Sequence, residues 1–121
     1  MADILVGRTA ELDNGERRIV HHDGVEIGVF RWNDEFFAYR NHCPHQGGPA
    51  CEGMMMHRAV EVLGEDQTYK QMAWKLDEMH FVCPWHGWEF DMRTGVNAAD
   101  PTFRIRSYRT EVRGDDLYVL A

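Results

Sequence analysis

Two short segments of the chain combine cysteine, histidine, proline and glycine. The first loop, residues 43–48, has the sequence CPHQGG, and the second loop, residues 83–88, has the sequence CPWHGW. Each loop therefore offers one thiolate and one imidazole, from Cys43 and His45 in the first and from Cys83 and His86 in the second. Thiolate and imidazole are the protein ligands that iron and zinc accept most readily. The spacing predicts a metal centre that the two loops share.

Two thiolates and two imidazoles suit two kinds of centre. In one type of [2Fe–2S] cluster the thiolates bind one iron and the imidazoles bind the other; a structural zinc ion accepts the same four donors. The glycines let the backbone approach a cluster closely, and neighbouring N–H groups can then donate to its negatively charged sulfides. The prolines restrict the loops by fixing φ. This shared loop composition favours the cluster, with zinc as the alternative.

The residues around these loops favour short β-strands. Asp23-Gly24 lies between two apolar runs and predicts a tight hairpin, and Asn33-Asp34 predicts a second turn. Many short strands separated by turn residues indicate a mainly all-β fold, an antiparallel sandwich or a partly open barrel. The segment 69–76 is compatible with a helix or a strand. Strands are predicted at residues 17–22, 25–32, 36–39, 79–83, 88–91, 103–105, 108–112 and 117–120.

The length of 121 residues suits a single domain, residues 1–121. We expect a β framework of about 1–41 and 96–121, into which a loop-rich cluster-binding lobe of about 42–95 is inserted. The two loops are separated by a long segment, and we expect an excess of residues in it at about 58–78. We interpret this excess as a hairpin or flap near the lobe. An inert insertion is the preferred interpretation, and a partner surface is the alternative.

Composition restricts the partners and the location. The net charge of −7 disfavours nucleic acid, because an acidic protein repels phosphates, and it suits a basic docking patch on a protein partner. The sequence has no apolar run of about 18 residues and no secretory signal pattern, so we expect no membrane association and a cytoplasmic location. Three cysteines do not form a closed disulfide set.

The two loops resemble the paired ligand motifs of the Rieske [2Fe–2S] family. The sequence after the second loop, WEFD followed by Arg93-Thr94-Gly95, is similar to Rieske ferredoxins and to the Rieske domains of ring-hydroxylating oxygenases. The resemblance implies an antiparallel fold with the cluster-binding lobe at one end, histidine ligands at an exposed tip, and a shielding third loop near Pro101. It implies one Rieske-type [2Fe–2S] cluster bound by Cys43, His45, Cys83 and His86.

The chain departs from the respiratory members of this family. Those members carry an extra cysteine in each motif, whereas Trp85 stands between Pro84 and His86 here, so that disulfide is excluded. They also have serine and tyrosine where this chain has Trp88 and Phe90. Neither residue donates a hydroxyl hydrogen bond to the cluster, and such bonds raise the potential. We therefore expect a potential near the low end of the Rieske range, about −150 mV.

The resemblance implies a one-electron carrier, a Rieske-type ferredoxin that takes electrons from a reductase and passes them to an oxygenase or similar oxidoreductase. We expect no catalysis by the chain itself. The alternatives are a non-catalytic Rieske subunit of a larger oxidoreductase, similar to a nitrite reductase small subunit, and a zinc-binding interaction module. The sequence leaves the oligomeric state open. Outside the ligand set, Cys51 is expected to be a buried thiol, and His80 a surface residue or a neighbour of the ligands.

Overall fold

The protein is described by a computed structural model that covers residues 2–44, 47–63, 69–85 and 87–121, without the side chains of 58–63 and 69–77. Apart from two short 3-10 helices, the regular elements in these residues are strands. The strands are β1 (Asp3–Arg8), β2 (Arg17–His22), β3 (Val25–Trp32), β4 (Glu35–Arg40), β5 (Met55–Leu63), β6 (Tyr69–Val82), β7 (Glu89–Asp91), β8 (Ser107–Arg113) and β9 (Asp116–Leu120).

Six strands form one large sheet in the order β1-β9-β8-β4-β3-β2. Two of its tight hairpins, β2–β3 and β3–β4, close at the turns predicted above. Asp23 and Gly24 have φ of 48° and 76°, and Asn33 and Asp34 have φ of 53° and 58°. Positive φ at both central residues is the type I′ geometry, whose twist matches that of the flanking strands. Aspartate, asparagine and glycine adopt this conformation most easily, which explains why the sequence signals both turns.

The large sheet curls until its two edges meet. Arg18 on edge strand β2 donates a 2.9 Å hydrogen bond to the carbonyl oxygen of Val6 on edge strand β1. The sheet encloses a core of buried apolar side chains that alternate along its strands, as a barrel interior requires. The predicted all-β, partly open barrel is thus confirmed. The core is formed by Val6, Leu12, Ile27, Val29, Ala38, Leu117 and Val119.

Three strands form a small sheet in the order β5-β6-β7. Strand β6 has 14 residues, far above the usual five or six, and pairs with β5 along most of its length. Residues 69–76 are therefore strand, which settles the ambiguity of their sequence. The backbone of the expected excess at 58–78 forms a hairpin, and the connection at residues 64–68 lies outside the described residues. That this hairpin is an inert insertion stays a prediction.

An aromatic cluster joins the two sheets. Phe81 of β6 lies with its ring centroid 5.1 Å from that of Phe30 and 5.0 Å from that of Tyr39, both in the large sheet. On its other side, Phe81 stacks on Phe90 of β7 at 5.5 Å. The Tyr39 hydroxyl donates a 2.6 Å hydrogen bond to the carbonyl oxygen of Met92. Because one core serves both sheets, we propose that the chain folds as a single domain.

Two features differ from the sequence-based expectation. The strand predicted at 103–105 is wrong, because Arg104 makes only an isolated bridge with Val96 in this region. The apolar residue that suggested a strand, Ile105, is instead a buried anchor. The first forty residues were expected to form strands, but the bounds of β1 were not predicted, since it pairs with β9 from the far end of the chain. Among the described residues, no helix is long and apolar enough to cross a membrane.

Candidate metal centre

The first loop is held by two backbone hydrogen bonds around Cys43. The Cys43 amide donates to the carbonyl oxygen of Gly48 at 2.8 Å, and the Gly47 amide donates to the carbonyl oxygen of Cys43 at 2.8 Å. Gly47 has a φ of 77°, a conformation that favours glycine over residues with a Cβ. The chain therefore reverses tightly here and leaves the Cys43 thiol almost fully buried, with 3% exposed.

The second loop repeats this pattern. The Cys83 amide donates to the carbonyl oxygen of Trp88 at 2.8 Å, and the Gly87 amide donates to the carbonyl oxygen of Cys83 at 2.9 Å. Gly87 has a φ of 71°, and the Cys83 side chain is buried, with 1% exposed. The similarity between the two sequence motifs is therefore also a similarity of backbone structure, in which each cysteine occupies the same place in its loop.

The two loops lie directly against each other. A Cβ atom added at Gly48 of the first loop would stand 2.8 Å from ring atoms of Trp85 and 3.0 Å from Sγ of Cys83, both in the second loop. Only a residue without a side chain fits this contact. The structure thus brings the predicted ligand Cys83 to the first loop, and Cys43 belongs to the same buried cluster. His45 and His86 lie outside the described residues, so the complete ligand set stays a prediction.

The described half of the donor set fits an iron–sulfur cluster. Two buried thiols stand on paired glycine-containing loops, and soft thiolates are the ligands that iron–sulfur clusters take. The backbone turns tightly at each cysteine, as close approach to a compact inorganic group requires. Zinc accepts the same thiols, so the donor chemistry of these residues alone does not separate the two metals.

Asn41 fixes the segment beside the first loop, a role that its sequence gave no reason to expect. Its buried amide nitrogen donates to the carboxylates of Glu26 and Glu52, both at 3.0 Å, and its amide oxygen accepts from the Cys51 amide at 2.9 Å. The guanidinium of Arg17 on β2 donates to the Cys51 carbonyl oxygen at 2.9 Å. These bonds attach the segment that follows the first loop, at Cys51 and Glu52, to the large sheet.

Asn97 plays a similar part for the segment beside the second loop. Its side-chain nitrogen donates to the carbonyl oxygen of Glu89 at 3.1 Å, while its oxygen accepts from the amides of Ala99 and Asp100 at 3.1 and 2.7 Å. The segment that carries Pro101 is thereby tied to β7, next to the second loop. This position agrees with the expected third loop; whether Pro101 shields a cluster stays a prediction.

Three exposed apolar residues lie in or next to the second loop, and we call them its apolar rim. Trp85 belongs to the loop, the Met54 carbonyl oxygen accepts from the Val82 amide at 2.8 Å, and Phe103 packs on Trp88. Trp85 is 58% exposed, Met54 is 67% exposed and Phe103 is 38% exposed. The Phe103 ring packs edge-on against Trp88, with 5.0 Å between centroids. A cavity of about 320 Å³ opens beside them, between Gly87 and Phe103. Large exposed apolar side chains grouped in this way are typical of an interaction surface.

Cys51 is a buried thiol, as expected. Its Sγ lies 3.5 Å from the carbonyl oxygen of Tyr39, and burial raises the pKa of the thiol to about 12. A Cβ atom at Gly28 on β3 would clash with it, so the two residues pack directly. His80 is also buried, with 1% exposed, so a surface position for it is wrong. Its strand turns it inward, which the sequence around it did not signal.

The chain is similar in sequence to the following known proteins. The chain is 25% identical over 112 residues to human apoptosis-inducing factor 3, and spans 15% of the length of that protein. It is 25% identical over 104 residues to the ferredoxin CarAc of Metapseudomonas resinovorans, covering 85% of this chain and 78% of that one.

The chain is also similar in fold to solved structures. The ferredoxin of carbazole 1,9a-dioxygenase from Nocardioides aromaticivorans matches with a TM-score of 0.69 and 25% identity, over 98% of this chain and 97% of that one. A protein assigned as the small subunit of an NADH-dependent nitrite reductase from Mycobacterium tuberculosis matches with a TM-score of 0.74 and 18% identity, over 98% and 93%. The latter likeness shows the fold alone.

A family model described as the Rieske [2Fe-2S] domain matches residues 2–109, most of the chain. The chain therefore belongs to the Rieske [2Fe–2S] domain family.

Proposed function

We propose that the chain is a one-electron carrier, a Rieske-type ferredoxin that receives an electron from a reductase and delivers it to an oxygenase or a similar oxidoreductase. The observation that carries the proposal is the pair of structurally equivalent loops pressed together at Gly48 and Cys83. Membership of the family implies a Rieske-type [2Fe–2S] cluster, which supplies a one-electron redox centre when it is bound. The ligands in this proposal are Cys43, His45, Cys83 and His86.

The residues around the loops serve electron transfer in two ways. The hydrogen bonds at Asn41 and Asn97 fix the segments beside the two loops, and a rigid surrounding keeps reorganisation small. The Trp88 ring packs edge-on against Phe103 beside the second loop, and in this proposal it shields one side of the cluster. In this proposal the described residues position a redox group. Our proposal includes no reaction catalysed by this chain itself.

The apolar rim of Met54, Trp85 and Phe103 is the proposed docking face for the redox partners. Interface centres are enriched in aromatic residues and methionine and depleted of charge. The net charge of −7 adds long-range attraction to partners with basic surfaces. We propose a reductase and an oxygenase as these partners, by similarity to the carbazole dioxygenase ferredoxin. The cytoplasm stays the proposed location.

Metal analysis of anaerobically purified protein tests the cofactor part of the proposal. We expect about two irons and two acid-labile sulfides per chain, a red-brown colour and a Rieske-type EPR signal after reduction. H45A and H86A are expected to lose the signal, whereas H21A, which changes an exposed histidine of β2, is expected to keep it. Stoichiometric zinc without sulfide would establish the zinc-binding module instead.

Electron transfer tests the carrier part. With NADH, a ferredoxin reductase and cytochrome c, we expect the holoprotein to mediate reduction at a rate that falls as salt is added. W85A is expected to slow this reaction while the cluster stays intact, and V112A, which shortens an exposed apolar residue of β8, is the matched control. Equal rates for W85A and V112A would show that the apolar rim is not the docking face.

The alternative is a permanent, non-catalytic subunit of a larger oxidoreductase. It uses the same site and the same rim, so the two proposals differ in the lifetime of the complex. The nitrite reductase likeness supports only the shared fold. Purification from the native host distinguishes them, because a subunit elutes with a large partner in gel filtration at high salt, whereas a diffusing carrier elutes alone.

A further inference from the structure

An arginine on edge strand β2 lies on the side of the large sheet against which the small sheet packs. Arg17 pairs with Phe30 of β3, and residues directly opposite each other in an antiparallel pair share a face. The Phe30 ring contacts Phe81 of the small sheet, with 5.1 Å between centroids. Successive residues of a strand face opposite ways, and the guanidinium of Arg18 accordingly donates to the Val6 carbonyl oxygen of β1 at 2.9 Å.

The guanidinium of Arg17 holds one short segment at two points. It donates to the carbonyl oxygen of Cys51 at 2.9 Å and to the carbonyl oxygen of Gly53. The donor atom in both bonds is Nη1, which carries two hydrogens and can serve one carbonyl group with each. Both acceptors are neutral, so these bonds leave the positive charge of the guanidinium in place.

The segment 51–53 that Arg17 holds is pressed against the second loop. It follows shortly after the first loop along the chain. A Cβ atom added at Gly53 would overlap the carbonyl oxygen of Val82 and stand 3.1 Å from Cδ of Pro84. Val82 and Pro84 flank Cys83, so a displacement of the segment would be transmitted to the backbone on both sides of this cysteine.

We propose that Arg17 is a positioning residue of the candidate metal centre, which holds the segment 51–53 against the second loop and whose positive charge raises the reduction potential of the proposed cluster. The redox half of this inference rests on the proposed function. Reduction adds one negative charge to a cluster, and the charge around a cluster is one of the quantities that set its potential. Because Arg17 is partly buried, water screens its charge less than that of an exposed side chain.

Protein-film voltammetry and metal retention of the holoprotein test the two halves of the inference. R17M removes the charge and both hydrogen bonds, and R17K keeps the charge but lacks the planar group that spans the two carbonyls. We expect R17M to shift the reduction equilibrium at least threefold towards the oxidised state, which is about 28 mV because tenfold is 59 mV for one electron. R17K is expected to keep the potential of wild type within that margin.

The loss of metal to EDTA measures the positioning half. R17M is expected to lose metal at least threefold faster than wild type, because the segment 51–53 is then held by fewer bonds. R17K is expected to lie between R17M and wild type. R17Q, a neutral side chain with one amide group, gives the same comparison of potential and metal loss if R17M does not fold.

R18M and R18K are the matched controls, because Arg18 is the next residue of the same strand and its guanidinium bonds to Val6 on the other face. Both are expected to keep the potential and the rate of metal loss of wild type. A potential of R17M equal to that of R18M overturns the charge half of the inference. Equal rates of metal loss in R17M and R18M overturn the positioning half.

Failure of this inference is distinguishable from failure of the proposed function. Iron and sulfide in the wild type report on the function alone. If the wild type contains the cluster and R17M behaves as R18M does, only the inference is wrong. If the wild type contains zinc without sulfide, the carrier function and the redox half are both wrong, and the rates of zinc loss from R17M and R18M still decide the positioning half.

Discussion

Gly48 is the point at which the two loops touch, and its substitution by alanine tests that contact directly. The new Cβ would stand 2.8 Å from Trp85 and 3.0 Å from Sγ of Cys83. Ordinary contacts of a Cβ with these atoms begin near 3.4 Å, so the ring has to move by about 0.6 Å and the sulfur by about 0.4 Å. Exposed Trp85 can turn outward, whereas the Cys83 sulfur is enclosed.

The sulfur displacement sets the expected magnitude. A functional site tolerates errors of about 0.5 Å in the position of its groups, so a shift of about 0.4 Å at Cys83 uses most of that tolerance. Overpacking of a buried site costs about 1–3 kcal/mol. For a chain of this size we expect G48A to lower the thermal midpoint by about 4–12 °C, to reduce cluster content, and to alter the visible circular dichroism.

Two further variants separate the causes. G87A adds a methyl group where nothing lies within 4 Å, so its cost comes from the positive φ alone. That cost is about 1–2 kcal/mol, and we expect an unaltered cluster spectrum. W85A/G48A removes the ring but keeps the sulfur contact, so it is expected to recover only part of the loss. Sulfide content, spectrum and midpoint of G48A equal to those of wild type would refute the close approach of the loops.

Three more results are expected. Y39F leaves the buried Met92 carbonyl without its 2.6 Å hydrogen bond, and is expected to lower the free energy of unfolding by about 1–3 kcal/mol in urea titration; an unchanged value would contradict the link between the sheets. Burial raises the pKa of the Cys51 thiol, so the folded state favours the neutral thiol. The free energy of folding that this preference contributes is complete below the pKa of the unfolded thiol, about 8.5, and is lost as pH rises towards about 12. Mass spectrometry is expected to find this thiol resistant to iodoacetamide at pH 8 in native holoprotein, and rapid native alkylation would argue against its burial. Because Trp88 and Phe90 lack hydroxyl groups, protein-film voltammetry is expected to give about −150 mV, and a value above zero would reject that reasoning.

Local chemistry made much of the fold predictable. The turns at Asp23-Gly24 and Asn33-Asp34 depend on residues that accept positive φ, so the sequence alone indicates them. The paired loops were predictable for a similar reason, since cysteine, proline and glycine at fixed spacing have few other uses. Strand β6 was ambiguous at 69–76, because its apolar pattern fits two periodicities and only pairing with β5 decides between them.

Features that depend on distant residues could not be predicted. Asn41 connects Glu26, Glu52 and the Cys51 amide, and nothing in its neighbouring sequence marks it as a buried hub. The inward position of His80 likewise follows from the packing of the small sheet. Such roles arise from tertiary contacts between segments that the sequence does not place side by side.

The pairing of β1 with β9 brings the two ends of the described chain together. The Ala2 amide donates to the carbonyl oxygen of Ala121 at 2.5 Å, and the Ala121 amide donates back at 2.9 Å. A domain whose ends meet can be circularly permuted or spliced into a host protein without separating its strands. A short peptide joining these ends, with new ends opened at the Gly114 turn, would retain both cysteine-containing loops on one uninterrupted stretch of polypeptide.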